Sequence, residues 1–412
     1  MNTILATGTT RKWRFVTRHV SALSLSGLAL AALPLTVFAA HSKYSFTRIA
    51  DDTGPLGEIG ISPAAINDAG QVAFLANLNT GELVLLVGSG GALATVAETS
   101  GHFQRLGFLT PPDRQRSTHG FPSINGLGQV TFGATRTDGR FGTFAGSDGA
   151  ISIIDNTVAF GFDGDPFSSG SGSLTTVEAT VAIAHRLRQA IVVGNGGPLT
   201  SIADTSQTFS VLDADPRINK SGQVVFHGIR QDGSEGIFTG NGGALTTIAD
   251  TSGPFASFSD APAISDDGRI LFQATLKASG ARPEVPGLFL SIGGYVRDVA
   301  DATGRFVSFG YGPAINAQGQ IAFLGTTRSG QVGIFTGDDP EDDRVVAIGD
   351  DLDGSTIFDL SVLSFRTGLN NNGQIAFIAQ LADGRTGVYR ADPIRRDGGH
   401  HDRHDAGSRG PR

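Results

Sequence analysis

A nine-residue pattern, apolar-Asn-x-x-Gly-x-apolar-small-Phe, recurs along this chain and limits what it can fold into. Close copies stand at Ile66–Phe74, Ile124–Phe132, Ile218–Phe226, Ile264–Phe272, Ile315–Phe323 and Leu369–Phe377. A seventh, Thr176–Ile183, keeps the apolar run but has lost both Asn and Gly. Measured at the Asn position, the copies sit at 67, 125, 176, 219, 265, 316 and 370, so the steps are 58, 51, 43, 46, 51 and 54 residues. A unit of that length, repeated, must bury its apolar surface against its own copies, as the blades of a propeller do.

The spacing has a local cause. Asn bonds through its side chain to the backbone two residues on, and Gly takes the positive φ that closes the turn, so Asn67/Gly70, Asn125/Gly128, Asn219/Gly222, Asn316/Gly319 and Asn370/Gly373 are read as structural turns. An apolar run follows at once, which makes the turn a hairpin between antiparallel strands. In Gln71 to Ala76 both alternate faces are apolar, so the sheet must be covered on both sides. Each repeat continues with a segment such as Gly236-Ile237-Phe238-Thr239-Gly240. A Gly-Gly corner then leads into Ala244 to Asp250. With the short strand ending in Pro-Ala-Ile-Asn, each repeat supplies four short antiparallel strands, the content of one blade.

The phase of the repeat predicts how the chain ends meet. The last copy stops after Gly387-Val388-Tyr389-Arg390 and lacks its final strand, whereas a matching strand, Phe46 to Asp51, precedes the first copy. The expectation is an all-β, seven-bladed β-propeller whose ring is closed by the N-terminal strand. A parallel β-helix is the rival, but it requires shorter coils without an internal hairpin. The three-part division is a signal peptide at 1–40, the seven-repeat propeller at 41–391 and a polar, disordered tail at 392–412.

Residues 1–40 carry Arg11, Lys12, Arg14 and Arg18, then the apolar run Ser21 to Phe38 and small residues for cleavage after Ala39 or Ala40. That pattern predicts a secreted or periplasmic protein, with a retained membrane anchor as the alternative. The chain carries −8, of which residues 1–40 contribute +4, leaving −8 − 4 = −12. Such a surface disfavours nucleic acid and anionic lipid. No Cys is present, so neither a disulfide nor a lipid-bearing thiol is available. The 58 Gly and 17% charged residues suit a turn-rich β fold better than a helical one.

The repeat resembles that of a bacterial exported group, the choice-of-anchor tandem-repeat family named after its NxxGxxAF motif. The matching residues are Asn67, Gly70, Ala73, Phe74; Asn125, Gly128, Phe132; Asn219, Gly222, Phe226; Asn316, Gly319, Ala322, Phe323; and Asn370, Gly373, Ala376, Phe377. The resemblance implies export and a repeat architecture, and it brings no reaction. Ser265, the degenerate third copy and the lack of an evident C-terminal anchor depart from it.

Residues that suggest chemistry each have a plainer reading. An acid ends the third segment of every repeat, as Asp51, Glu98, Asp155, Asp204, Asp250, Asp301 and Asp350, and a residue found in every blade is read as a turn cap. Asp351 and Asp353, like Asp163 and Asp165, have the density of a calcium loop without its distal Glu, so they are weak calcium candidates and no cofactor is expected. His400, His401 and His404 lie in a polar tail, and His185 and His227 fall on strands. No nucleophile elbow, zinc-protease helix or phosphate loop is present, and the reading leans away from an enzyme.

Function is sought where the repeats differ. Gly101 to Pro122 is long and carries Arg105, Arg114, Arg116 and His119, while Lys277 to Pro286 carries Lys277 and Arg282. Both insertions are expected on one face, where their cations would bind an anionic ligand. The sequence therefore predicts an exported monomeric propeller that binds an extracytoplasmic ligand, an anionic glycan or a protein. The alternatives are a glycan-acting hydrolase or lyase with acids at the channel mouth, and a structural component of the envelope or matrix.

Overall fold

The computed structural model describes residues 43–394, apart from 108–121, 148, 156–159, 162–166, 169–174, 184–185, 195–197, 213–214, 260 and 361–367. Side chains from 154 to 189 also lie outside the description. All regular structure among the described residues is β, in seven antiparallel sheets of five strands, and the architecture is an all-β propeller. None of these residues forms a helix long and apolar enough to cross a membrane.

The fourth sheet shows the plan, with strands Phe209–Leu212, Arg217–Ile218, Val224–Arg230, Glu235–Gly240 and Thr246–Asp250. The strand after the anchor turn is central. Its far half pairs with Phe209–Leu212 and its near half with Arg217–Ile218. Four strand positions were expected, and four exist, but the innermost is broken in two. The break has a chemical cause: Pro63, Pro122, Pro216, Pro262 and Pro313 stand just before the second half and offer no N–H to the ladder.

The N-terminal strand Tyr44–Asp51 lies in the last sheet, antiparallel to Thr386–Pro393, with Phe46 opposite Ala391 and Asp51 opposite Gly387. The Phe46 ring meets Phe377 edge-on at 6.0 Å.

A triad of phenylalanines fills each of four sheets. In the fourth, Phe209 packs on Phe226 at 5.7 Å and on Phe238 at 5.0 Å; in the fifth, Phe255 packs on Phe272 at 5.8 Å and on Phe289 at 4.9 Å. Phe103, Phe132 and Phe144 repeat this arrangement, as do Phe306, Phe323 and Phe335. The rings are buried and meet mostly edge to face, the geometry their quadrupoles favour. Val72 to Ala76 is buried on both faces, because each sheet is sandwiched between its neighbours.

Candidate functional site

The anchor turns are built as their sequence requires. In the first, Asn67 Oδ1 accepts from the backbone N–H of Ala69 at 3.1 Å and of Gln71 at 3.0 Å, and Gly70 has φ +75°. Asn125, Asn219, Asn316 and Asn370 accept the equivalent pair of bonds. Gly128, Gly222, Gly319 and Gly373 likewise have positive φ.

The other end of the same amide does a second job that the spacing does not announce. Asn67 Nδ2 donates to the carbonyl of Asn125 at 3.1 Å, Asn219 Nδ2 to that of Ser265 at 3.2 Å, and Asn316 Nδ2 to that of Asn370 at 2.9 Å. Asn370 Nδ2 in turn donates to Asn67 at 2.8 Å. Four turns are thus stapled to the next copy's turn. The following residue adds an outer series: the N–H groups of Lys220, Ala317 and Asn371 donate to the side chains of Asp266, Asn371 and Asp68.

The turns of copies one, two, four, five, six and seven together line an axial cavity of about 140 Å³. The apolar residue of each of these anchors lines it, and the place before that residue is small in five of the copies, as Ala65, Ser123, Ala263, Ala314 and Gly368. The fourth copy has Arg217 there. That side chain is 7% exposed, lines the cavity and donates through Nη1 to the carbonyl of Pro216 at 3.2 Å. Nearby in the chain, Asp215 is also buried and accepts the Tyr311 hydroxyl. Lys220 pairs with Asp266 at 2.9 Å and lies 4.0 Å from Asp68, so it reaches from the fourth copy toward the first, across the cavity's end. The bond to Asp266 raises the lysine's pKa. Arg217 was missed by the sequence reading, although its signal, a large cation in a series of small residues, is plain.

The expected cation group is not assembled by the described residues. Arg105 is exposed on the strand Phe103–Leu106, while Arg114, Arg116 and His119 lie outside the described residues. The extra residues of the second repeat were expected in the connection between sheets, but they fall between the two halves of the innermost strand. They leave and rejoin the innermost strand in mid-course, since Leu106 pairs with Ala134 and Ser123 with Thr131. Lys277 instead stands at the far end of its hairpin strand and donates to the carbonyls of Thr251 and Gly253 at 2.7 and 2.9 Å. Arg282 pairs with Asp301 at 3.5 Å.

Among the calcium candidates, Asp353 receives Arg48 at 2.9 Å and Arg385 at 2.7 Å, and Asp351 is exposed. The described residues contain no group of three His, Asp or Glu that could hold a metal; Asp163, Asp165, His185 and the tail histidines lie outside them. Four of the recurring acids act as turn caps: Asp301 Oδ1 accepts from Thr303 and Gly304, and Asp51, Asp204 and Asp250 accept from Thr53, Ser206 and Ser252. His227 is buried against Glu235 at 3.1 Å.

The model of a family described as "Family of unknown function (DUF7453)" matches residues 145–392, more than half the chain. The chain belongs to that family. The DUF7453 match runs from the second sheet to the final strand, and it does not extend to the choice-of-anchor family that the motif resembles. No curated protein matches the sequence. One similar solved structure is the β-propeller domain of the Trilobed protease from Pyrococcus furiosus, reported to have an open velcro topology. It is 12% identical with a TM-score of 0.48, over 81% of this chain and 97% of that one. Another is the six-bladed β-propeller lectin of Aleuria aurantia, reported with a fucose recognition mode, at 11% identity and a TM-score of 0.34, over 68% of this chain and 93% of that one.

Proposed function

We propose that this DUF7453 protein is an exported binding module: a seven-bladed ring, closed by the pairing of Tyr44–Asp51 with Thr386–Pro393, that takes a polar, anionic ligand at its axis. The observation that carries this reading is Arg217, a buried guanidinium in the wall of a cavity where every other described copy places a small residue. A guanidinium fixed in a confined site recognises a carboxylate or phosphate through paired hydrogen bonds, and seclusion from water strengthens them. The cavity has room for one such group and not for a whole sugar chain. The ligand class is therefore a molecule offering a terminal carboxylate, as an acidic glycan end or a protein C-terminus does. Arg114, Arg116 and His119 belong to the insertion that rejoins the sheet at Ser123, which itself lines the cavity, and Arg105 stands on the strand half that precedes it. They are proposed to assist capture.

The test is calorimetric titration of uronate-ended oligosaccharides and their neutral counterparts into the chain from residue 41 onward. Arg217→Met is expected to weaken uronate binding at least tenfold and to leave the neutral sugars unaffected. An Arg105/Arg114/Arg116→Ala variant should slow capture in a salt-dependent way. Unchanged affinity in Arg217→Met overturns the axial site. Unaltered binding by both variants overturns the reading as a whole.

A further inference from the structure

A second cavity, of about 380 Å³, opens between the fourth and fifth sheets. In the sheets that begin and end the chain order, the apolar pair on the outermost strand is buried by the next sheet: Ile49–Ala50, Val96–Ala97 and Val346–Ala347, and also Ile202–Ala203 in the third. In the fourth sheet, Ile248 and Ala249 are only half-buried and line the opening instead. Its floor is aromatic, with Phe255 and Phe289, and Leu276, Val296, Asp250 and Asp298 complete the wall.

The neighbouring sheet shows what such a place holds. By strand register, Leu276 opposite Phe255 corresponds to Arg230 opposite Phe209, Phe289 to Phe238, and Asp298 to Thr247. In the fourth sheet the guanidinium carbon of Arg230 sits 4.6 Å from the centroid of the Phe238 ring. It also donates to Thr247 at 2.7 Å and meets Asp250 at 3.4 Å. In the fifth sheet the arginine is replaced by the shorter, neutral Leu276, and the threonine by the acid Asp298. The aromatic ring is thus retained and a carboxylate is added, while no cation stands at the Arg230 position; Arg282, from the hairpin, pairs with Asp301, the register equivalent of Asp250.

We propose that this inter-sheet cavity is a binding site for a guanidinium group supplied from outside, an arginine side chain of a partner peptide, seated over Phe289 and paired with Asp298. A cation over an aromatic face, close to a carboxylate and partly secluded from water, is a favourable arrangement. Three neighbouring cations are engaged elsewhere: Arg230 is held by Asp250, Arg282 by Asp301, and Lys277 by the carbonyls of Thr251 and Gly253. A body of charge near −12 would also draw a basic peptide toward it.

Acetyl-arginine methylamide and its neutral isostere acetyl-citrulline methylamide test the proposal, titrated by NMR into the chain from residue 41 onward. The arginine compound should bind one to one and at least tenfold tighter than the citrulline compound; butylguanidinium should bind within a few fold of it. Asp298→Asn should cost at least tenfold. Leu276→Arg should abolish binding by rebuilding the arrangement of the fourth sheet, which the fold already accommodates, and should leave uronate binding at the axis unchanged. Equal binding of arginine and citrulline compounds, or full affinity in Leu276→Arg, overturns the assignment.

Discussion

Asn370 Nδ2 donates a 2.8 Å hydrogen bond to the carbonyl oxygen of Asn67, joining residues 303 apart in the chain. The same side chain accepts the N–H groups of Asn372 and Gln374 through Oδ1. One amide therefore shapes its own turn and ties the last copy to the first. Asparagine suits this position because it carries an acceptor and a donor on one short, planar group.

The two roles can be separated. Asn370→Asp keeps the acceptor that holds the turn, loses the donor across the sheets and places a negative charge beside the Asn67 carbonyl. Asn370→Asp should destabilise by roughly 1–3 kcal/mol, since a buried carbonyl loses its partner, and Asn370→Ala, which also removes the turn's acceptor, should cost more. If Asp at 370 is as stable as the parent in urea unfolding, the inter-sheet bond contributes nothing.

Gly319 isolates the turn itself. Its φ is +78°, a conformation that a β-branched residue adopts only under strain. A Cβ there would also run into Arg269 Nη1, although that arginine can move aside. Gly319→Val is expected to lose about 1–3 kcal/mol, most of it backbone strain, and Gly319→Ala somewhat less. A loss under a few tenths of a kcal/mol in either variant would contradict the turn geometry.

The local rules in this chain were legible because each rests on neighbouring residues: Asn67 and Gly70 make their turn within four residues, and Val72 to Ala76 show their double burial in their own composition. What was not legible depends on curvature. Nothing near Asn370 says that its Nδ2 meets residue 67, and nothing near Arg217 says that its sheet edge faces an axis. The split innermost strand was hidden because Phe103 to Leu106 is only four residues long, so the second repeat's extra residues were assigned to a connection between sheets. The missing last strand was readable for the opposite reason, since a repeat states what each unit should contain.

The pairing of Tyr44–Asp51 with Thr386–Pro393 leads to a prediction about truncation. Removing residues 41–50 would expose the edge of Thr386–Pro393 and uncover Val388, Tyr389 and Phe377, each buried at present. The truncated chain is expected to lose its cooperative thermal transition or to melt more than about 10 °C lower, given that a few kcal/mol shifts a domain of this size by several degrees. A truncated protein melting within two or three degrees of the parent, roughly the effect of 1 kcal/mol, would show that the strand is an ornament on an otherwise complete sheet.

Acid should act on that same junction. Burial tends to raise the pKa of the Asp392 carboxyl, but Arg390 at 2.8 Å, Gln374 at 2.5 Å and Thr47 at 2.9 Å outweigh it, so the pKa lies below the usual carboxylate range. Asp301 and Glu235 are lowered in the same manner, each against the opposing effect of burial. In Asp250 the Ser252 hydroxyl is the largest cause. A carboxyl whose pKa is depressed by folding contributes stability that is fully present above its unfolded value, near pH 4, and that fades as pH falls through the folded value. Stability should therefore be flat from about pH 7 to pH 5 with respect to these groups, and should drop below about pH 4. Thr47 lies on the N-terminal strand and Asp392 on the C-terminal one, so protonating Asp392 loosens the contact between the two chain ends directly. Asp392→Asn should lower stability at pH 7 and flatten the acid limb, so that parent and variant converge near pH 3. Curves that stay parallel between pH 7 and pH 3 in urea unfolding would show that Asp392 takes no part in the acid response.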